Sequence, residues 1–171
     1  MRTRAEKTAM RPPGPLSRFG LAIIIAVVAL DQIAKLIAEA HLDEGQPIAL
    51  LPILSLLRVY NTGIAFSLGH GFDSLILVAG TAVITLGVFY VWMTAREGGY
   101  LVAAGFALVA GGALGNLIDR VRLGHVVDFL YFHLGDRGFF IFNIADVALT
   151  LGPILLGWHY LLGGGAKKPA A

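Results

Sequence analysis

Four stretches of this chain are each long and apolar enough to cross a lipid bilayer, and no other feature restricts its fold as much. They run from about Phe19 to Ala40, Phe72 to Met93, Tyr100 to Ile118 and Phe139 to Leu162. A bilayer core is spanned by roughly 20 apolar residues in helical form. In lipid every backbone polar group must be satisfied internally, so only helices and closed barrels cross it. None of the four runs alternates apolar and polar residues, which rejects a barrel. Only 14% of the 171 residues are charged and 57% are hydrophobic, against about 25% charge in a soluble domain. The expected fold is an all-α membrane protein with four transmembrane helices over residues 19–162. A basic segment, 1–18, precedes it and a flexible tail, 163–171, follows.

The positive-inside rule sets the expected orientation. Arg2, Arg4, Lys7, Arg11 and Arg18 precede the first span, Arg96 lies between the second and third, and Lys167 and Lys168 are in the tail, which puts 8 of the 13 basic residues on one side. Both termini are therefore expected in the cytoplasm. Tyr90, Trp92, Tyr100, Trp158 and Tyr160 fall at that same level as interfacial anchors. The first span also carries Ala38-Glu39-Ala40, a small-x-small pattern like a leader cleavage site. Asp31 and Lys35 would then separate the apolar run from the cut, so the stretch reads better as a span.

The first outer link is too apolar for a solvated loop. Val59, Tyr60, Ile64 and Phe66 suggest strands around a turn at Asn61-Thr62-Gly63. A small extracytoplasmic β-sheet, a cradle over about residues 43–70, is expected on the outer membrane surface. The second outer link covers about 119–138.

Ionisable groups inside spans default to functional hypotheses. Here they converge. At about 1.5 Å per residue, Asp31 and Lys35 fall in the outer half of the first span. Asn116, Asp119 and Arg120 fall at the outer end of the third, and Asn143 and Asp146 in the first two turns of the fourth. Asp128 belongs to an outer loop and Asn61 to the outer sheet. Asn116 shares a helical face with Asp119 and Arg120, and Asn143 with Asp146. Gly111, Gly112 and Gly115 allow close helix approach beside Asn116.

The residue types limit the chemistry. There is no cysteine, and the four serines, Ser17, Ser55, Ser67 and Ser74, form no G-x-S-x-G elbow. His125 and His133 flank Asp128 at a spacing that matches no metal motif, so neither a metal nor another cofactor is expected. Carboxylates remain. Two of them in a low-dielectric site share a proton, so that one accepts a proton from water while the other donates to a carbonyl. Spacing alone leaves Asp31, Asp119, Asp128 and Asp146 open.

At these residues the chain resembles the lipoprotein signal peptidases, signal peptidase II. Asp31-Gln32-Ile33-Ala34-Lys35 is similar to the first-helix motif of that family, Asn61-Thr62-Gly63-Ile64-Ala65-Phe66 to its outer-loop motif, and Gly115-Asn116-Leu117-Ile118-Asp119-Arg120 to its third-helix motif. Val126-Val127-Asp128-Phe129 and Phe142-Asn143-Ile144-Ala145-Asp146 resemble its two catalytic motifs. The five stand in family order. Ile64 and Ala34 depart from the commonest residues, Ala and a small hydroxyl residue.

The resemblance implies an aspartyl endopeptidase of the bacterial inner membrane, with Asp128 and Asp146 as catalytic dyad and the site near the periplasmic face. Asn61, Asn116, Arg120 and Asn143 would order the dyad and the substrate, and Asp31, Lys35 and Asp119 would support them. The implied substrate is a prolipoprotein with a diacylglyceryl-cysteine, cut just before that cysteine, and the implied inhibitor is globomycin. A monomer among membrane lipid, without nucleic acid, is expected. A proton-coupled carrier is disfavoured because the acids cluster at one level instead of lining a route across. A non-catalytic membrane chaperone would need no paired acids.

Overall fold

The computed structural model describes residues 10–63 and 74–163. It contains four helices long and apolar enough to cross a membrane. Helix α1 spans Arg18–His41, α2 Ser74–Thr94, α3 Gly99–Leu123 and α4 Ile144–Gly157, which continues as a π-helical turn over Trp158–Gly163.

Each boundary has a local cause. The Ser17 hydroxyl accepts a hydrogen bond from the Gly20 N–H at 3.1 Å and caps α1. Helix α3 ends where Gly124 takes φ +76° and its N–H donates to the Arg120 carbonyl at 3.1 Å, a left-handed position that glycine adopts without Cβ strain. Helix α4 begins in a capping box. The Asn143 side chain accepts from the Asp146 N–H while the Asp146 carboxylate accepts from the Asn143 N–H.

Helix α3 is the centre of the bundle and packs against the other three. Small residues permit this. A Cβ on Gly112 would lie 2.5 Å from the Ala145 carbonyl oxygen of α4, and one on Gly152 would lie 2.7 Å from the Gly105 carbonyl oxygen of α3. The buried stripe of α1 is Gly20, Ile24, Val27, Asp31, Lys35 and Ala38. Its apolar period thus carries an acid and a lysine into the core. At the other end of the bundle Trp92 is fully buried, stacks with Phe89 and Phe106, and donates its indole N–H to the Pro13 carbonyl at 2.8 Å.

A four-stranded antiparallel sheet, in the order β1-β2-β3-β4, covers one end of the bundle. Its strands are β1 Ile48–Leu51, β2 Leu54–Asn61, β3 Val126–Leu134 and β4 Arg137–Phe142. This corrects three expectations. The chain is not all-α with a sheet confined to residues 43–70, because β3 and β4 come from the second link. Asp128 is a strand residue instead of a loop acid, paired across from Val59. The fourth helix starts at Ile144 instead of Phe139, because Phe139 to Phe142 pair with β3. The physical reason is the same each time. Aromatic and β-branched residues fit a pleated surface, and a short apolar run next to a helix cannot be told from helix by periodicity. The third helix is also longer than expected and runs to Leu123. The expected strand residues Ile64 and Phe66, and the tail residues 164–171, lie outside the described residues.

Candidate active site

The candidate site lies where the sheet meets the bundle, and it is assembled from five elements. Helix α1 brings Asp31, Gln32 and Lys35, and α3 brings Asn116, Asp119 and Arg120. Strand β2 brings Asn61 and β3 brings Asp128. The start of α4 brings Asn143 and Asp146. All nine residues expected from the sequence meet here. Asp31, Lys35, Asn116, Asp119, Asp128 and Asn143 are buried, and Asp146 and Arg120 are half-buried.

Charge enters from α1. The Lys35 ammonium sits 2.8 Å from Asp31 Oδ2 and 2.8 Å from Asp119 Oδ2, and donates to Asn116 Oδ1 at 3.0 Å. The remaining acceptor positions are filled. Asp31 Oδ1 accepts from the Ala145 N–H at 2.9 Å, and Asp119 Oδ2 from the Val127 N–H at 3.2 Å. The Asp31 carboxylate therefore satisfies one free N–H of the first turn of α4, where negative charge is also favoured by the helix dipole. Gly115 is required beside it, because a Cβ there would stand 2.7 Å from Asp31 Oδ2.

Asn116 and Asn143 connect this cluster to the two other acids. Asn116 Nδ2 donates to Asp146 Oδ1 at 2.8 Å. Asn143 Nδ2 donates to Asp128 Oδ1 at 2.6 Å and to Asn116 Oδ1 at 3.2 Å, while the Asn143 N–H donates to Asp146 Oδ2 at 3.2 Å. Asp128 and Asp146 thus hydrogen-bond the same asparagine. From β2, Asn61 Nδ2 donates to Asp128 Oδ2 at 3.0 Å. Arg120 Nη2 donates to the Gly63 carbonyl at 3.1 Å and so ties α3 to the segment after β2.

Burial first, and then repulsion from Asp146, push the Asp128 carboxyl from an ordinary 3.8 up to about 7, against the opposing hydrogen bonds of Asn61 and Asn143. A carboxyl that titrates near neutrality beside a second one is suited to hold and release a proton. Among the described residues no group of His or acidic side chains is arranged to hold a metal ion. His133 instead bonds Ser55 at 2.8 Å, and His125 packs against Tyr60.

The site also contains a residue that spacing gave no role. Gln32 Nε2 donates to Asp119 Oδ1 at 2.8 Å and to the Gly115 carbonyl at 3.2 Å, and its Oε1 accepts from Arg122 Nη1 at 3.2 Å. Gln32 belongs to the first-helix motif, but an uncharged side chain one residue from an acid gives no periodic signal.

Four apolar helices long enough to cross a bilayer define a multi-pass membrane protein, with a cluster of buried polar side chains at one end. The family model described as signal peptidase (SPase) II matches residues 23–162. A lipoprotein signal peptidase of Mesorhizobium japonicum is 40% identical over 141 residues, covering 82% of this chain and 84% of that protein. One of Brucella ovis is 43% identical over 145 residues, covering 81% and 91%. Two solved structures, both described as a bacterial membrane enzyme obtained by the in meso method, match the fold. The one at 2.3 Å resolution has a TM-score of 0.82 at 29% identity, covering 95% of this chain and 98% of that one. The one at 1.9 Å has a TM-score of 0.78 at 29% identity, covering 90% and 98%. The chain belongs to the signal peptidase II family and is a peptidase.

Proposed function

We propose that this chain is a membrane-embedded aspartyl endopeptidase that removes the signal peptide from diacylglyceryl-modified prolipoproteins, cutting just before the lipidated cysteine. The observation that carries the reading is the joint hold of the buried Asn143 on Asp128 and Asp146, which brings two carboxyls to one asparagine. In such a pair one carboxyl takes a proton from water as the other gives one to the scissile carbonyl, with no metal or covalent intermediate needed. Asn61, Asn116, Arg120 and Asn143 order the pair and the substrate backbone, and Asp31, Lys35 and Asp119 support them. The lipid on the substrate cysteine suits a site where bundle and sheet meet, since acyl chains can stay in the bilayer while the peptide reaches the carboxyls. The setting is the bacterial inner membrane, with both termini cytoplasmic and the site near the periplasmic face. The protein acts as a monomer on its precursor, and globomycin is expected to inhibit it.

The test is cleavage of a lipidated precursor by purified protein. Asp128→Asn and Asp146→Asn are each expected to abolish turnover while the protein still elutes folded and unfolds cooperatively. Substantial turnover by either variant would overturn the dyad.

A further inference from the structure

Asp128 and Asp146 look alike in chemistry but not in surroundings. Asp128 receives two side-chain amide N–H groups, from Asn61 of β2 and Asn143. Asp146 receives the backbone N–H of Asn143 and the Asn116 amide, and it stands in the first turn of α4, where the helix dipole favours an anion. The Asn116 amide is itself fixed. Its Oδ1 accepts from both Lys35 Nζ and Asn143 Nδ2, so its Nδ2 must point to Asp146. An ammonium on the oxygen polarises the amide and strengthens what its N–H offers. No such cation backs Asn61 among the described contacts.

We infer that Lys35 is a positioning residue for the dyad: acting through the Asn116 amide, it holds Asp146 as the carboxylate that takes the proton of the attacking water and leaves Asp128 as the acid that protonates the scissile carbonyl. The inference rests on the proposed peptidase reading and assigns the roles within it. The water oxygen bonds to the carbonyl carbon, its proton passes to Asp146, and the Asp128 proton passes to the carbonyl oxygen. As the C–N bond breaks, Asp146 returns its proton to the leaving nitrogen and a hydroxyl of the tetrahedral intermediate returns one to Asp128, which restores both.

The other charged groups are less selective. Arg120 of α3 faces both aspartates, Asp146 the more strongly. Asp31 of α1 acts on Asp146 as a like charge, and Lys35 acts on Asp128 as well as on Asp146 through its charge. Asp119 of α3 is joined to Lys35.

The experiment is the pH dependence of kcat/KM on a synthetic diacylglyceryl-cysteine peptide in micelles. Both limbs are titrations of the coupled pair; with the roles assigned above, the acid limb is the more sensitive to the surroundings of Asp146 and the alkaline limb to those of Asp128. Lys35→Met is expected to move the acid limb up by roughly one pH unit and the alkaline limb by less. Lys35→Met leaves two carboxylates without their cation, so it is paired with Lys35→Met/Asp119→Asn. That double variant keeps the formal charge of the Asp31–Lys35–Asp119 cluster at −1 and should move the acid limb in the same direction. A rate lowered equally at every pH, with both limbs in place, would reduce Lys35 to a structural role. A larger move of the alkaline limb would reverse the assignment. Turnover by Asp128→Asn or Asp146→Asn would instead defeat the peptidase dyad itself, so the two failures are distinguishable.

Discussion

A carboxyl sealed under a sheet and opposed by a second carboxyl is costly to ionise, and that cost can be measured as stability. The folded pKa of Asp128 is raised to about 7 from an ordinary 3.8. The fold therefore favours the protonated form. Below about pH 4 the group is protonated folded or unfolded and carries no penalty. Between about 4 and 7 the unfolded chain ionises and the fold does not, so stability falls as pH rises, and above about 7 the penalty is complete. A tenfold difference in acidity between the folded and unfolded chain corresponds to about 1.4 kcal/mol, so the loss between pH 5 and 8 amounts to a few kcal/mol and belongs to the Asp128–Asp146 pair jointly. Asp128→Asn removes it. Thermal unfolding in detergent at pH 5 and at pH 8 should show a fall in Tm for the native chain and a clearly smaller one for Asp128→Asn. Equal falls would place the pH sensitivity elsewhere. Under the proposed mechanism the same titration predicts that activity declines as pH rises past about 7, when Asp128 loses its proton.

At the scale of elements, the site is held by the distance between α3 and α4. Gly112 lies against the Ala145 carbonyl, one residue from Asp146, so a methyl there has to displace α4 backbone. Overpacking of this kind costs about 1–3 kcal/mol, and a displacement of a reacting group by about 1 Å can cost about a hundredfold in rate. Gly112→Ala should therefore lower both the unfolding temperature and kcat. Gly87→Ala on α2, where a Cβ meets nothing within 4 Å, should leave kcat unchanged and stabilise by at most about 1 kcal/mol. If the two variants behave alike, close approach at Gly112 is not what sets the geometry. The sequence showed this level unevenly. Span length and the shared helical faces of Asn116 with Arg120 and of Asn143 with Asp146 were readable because helical period dictates them. The strands β3 and β4 were not. Val126 to Leu134 and Arg137 to Phe142 pair with each other, and the former also with β2, and pairing partners are a tertiary choice that no local period encodes. Asp128 was singled out as a residue, but its attachment to a strand, and hence its rigid place opposite Asn143, depended on that pairing.

Over the whole molecule, the helices run up and down, so that the buried polar cluster gathers at the sheet end. The opposite end is closed by the segment before α1. The Met10 carbonyl accepts from the Gly99 N–H at 2.8 Å, and Arg11 Nη2 donates to the Met93 carbonyl at 3.1 Å. This polarity turns the basic-residue count into a statement about the site, because whichever face receives Arg11, Arg18 and Arg96, the carboxyls take the other. Position along each span could suggest a common level, but only the assembled bundle ties that level to the sheet. The chain lacks cysteine, so single cysteines report orientation without background. Asp136, in the turn between β3 and β4, and Glu97, in the link between α2 and α3, are both exposed and lie at opposite ends. In cells with a permeabilised outer membrane, an impermeant maleimide should label Asp136→Cys at once and Glu97→Cys only after lysis. The reverse pattern would put the carboxyls on the cytoplasmic face. A precursor already carried across the membrane could not reach them there, and the proposed substrate would have to be abandoned along with the orientation.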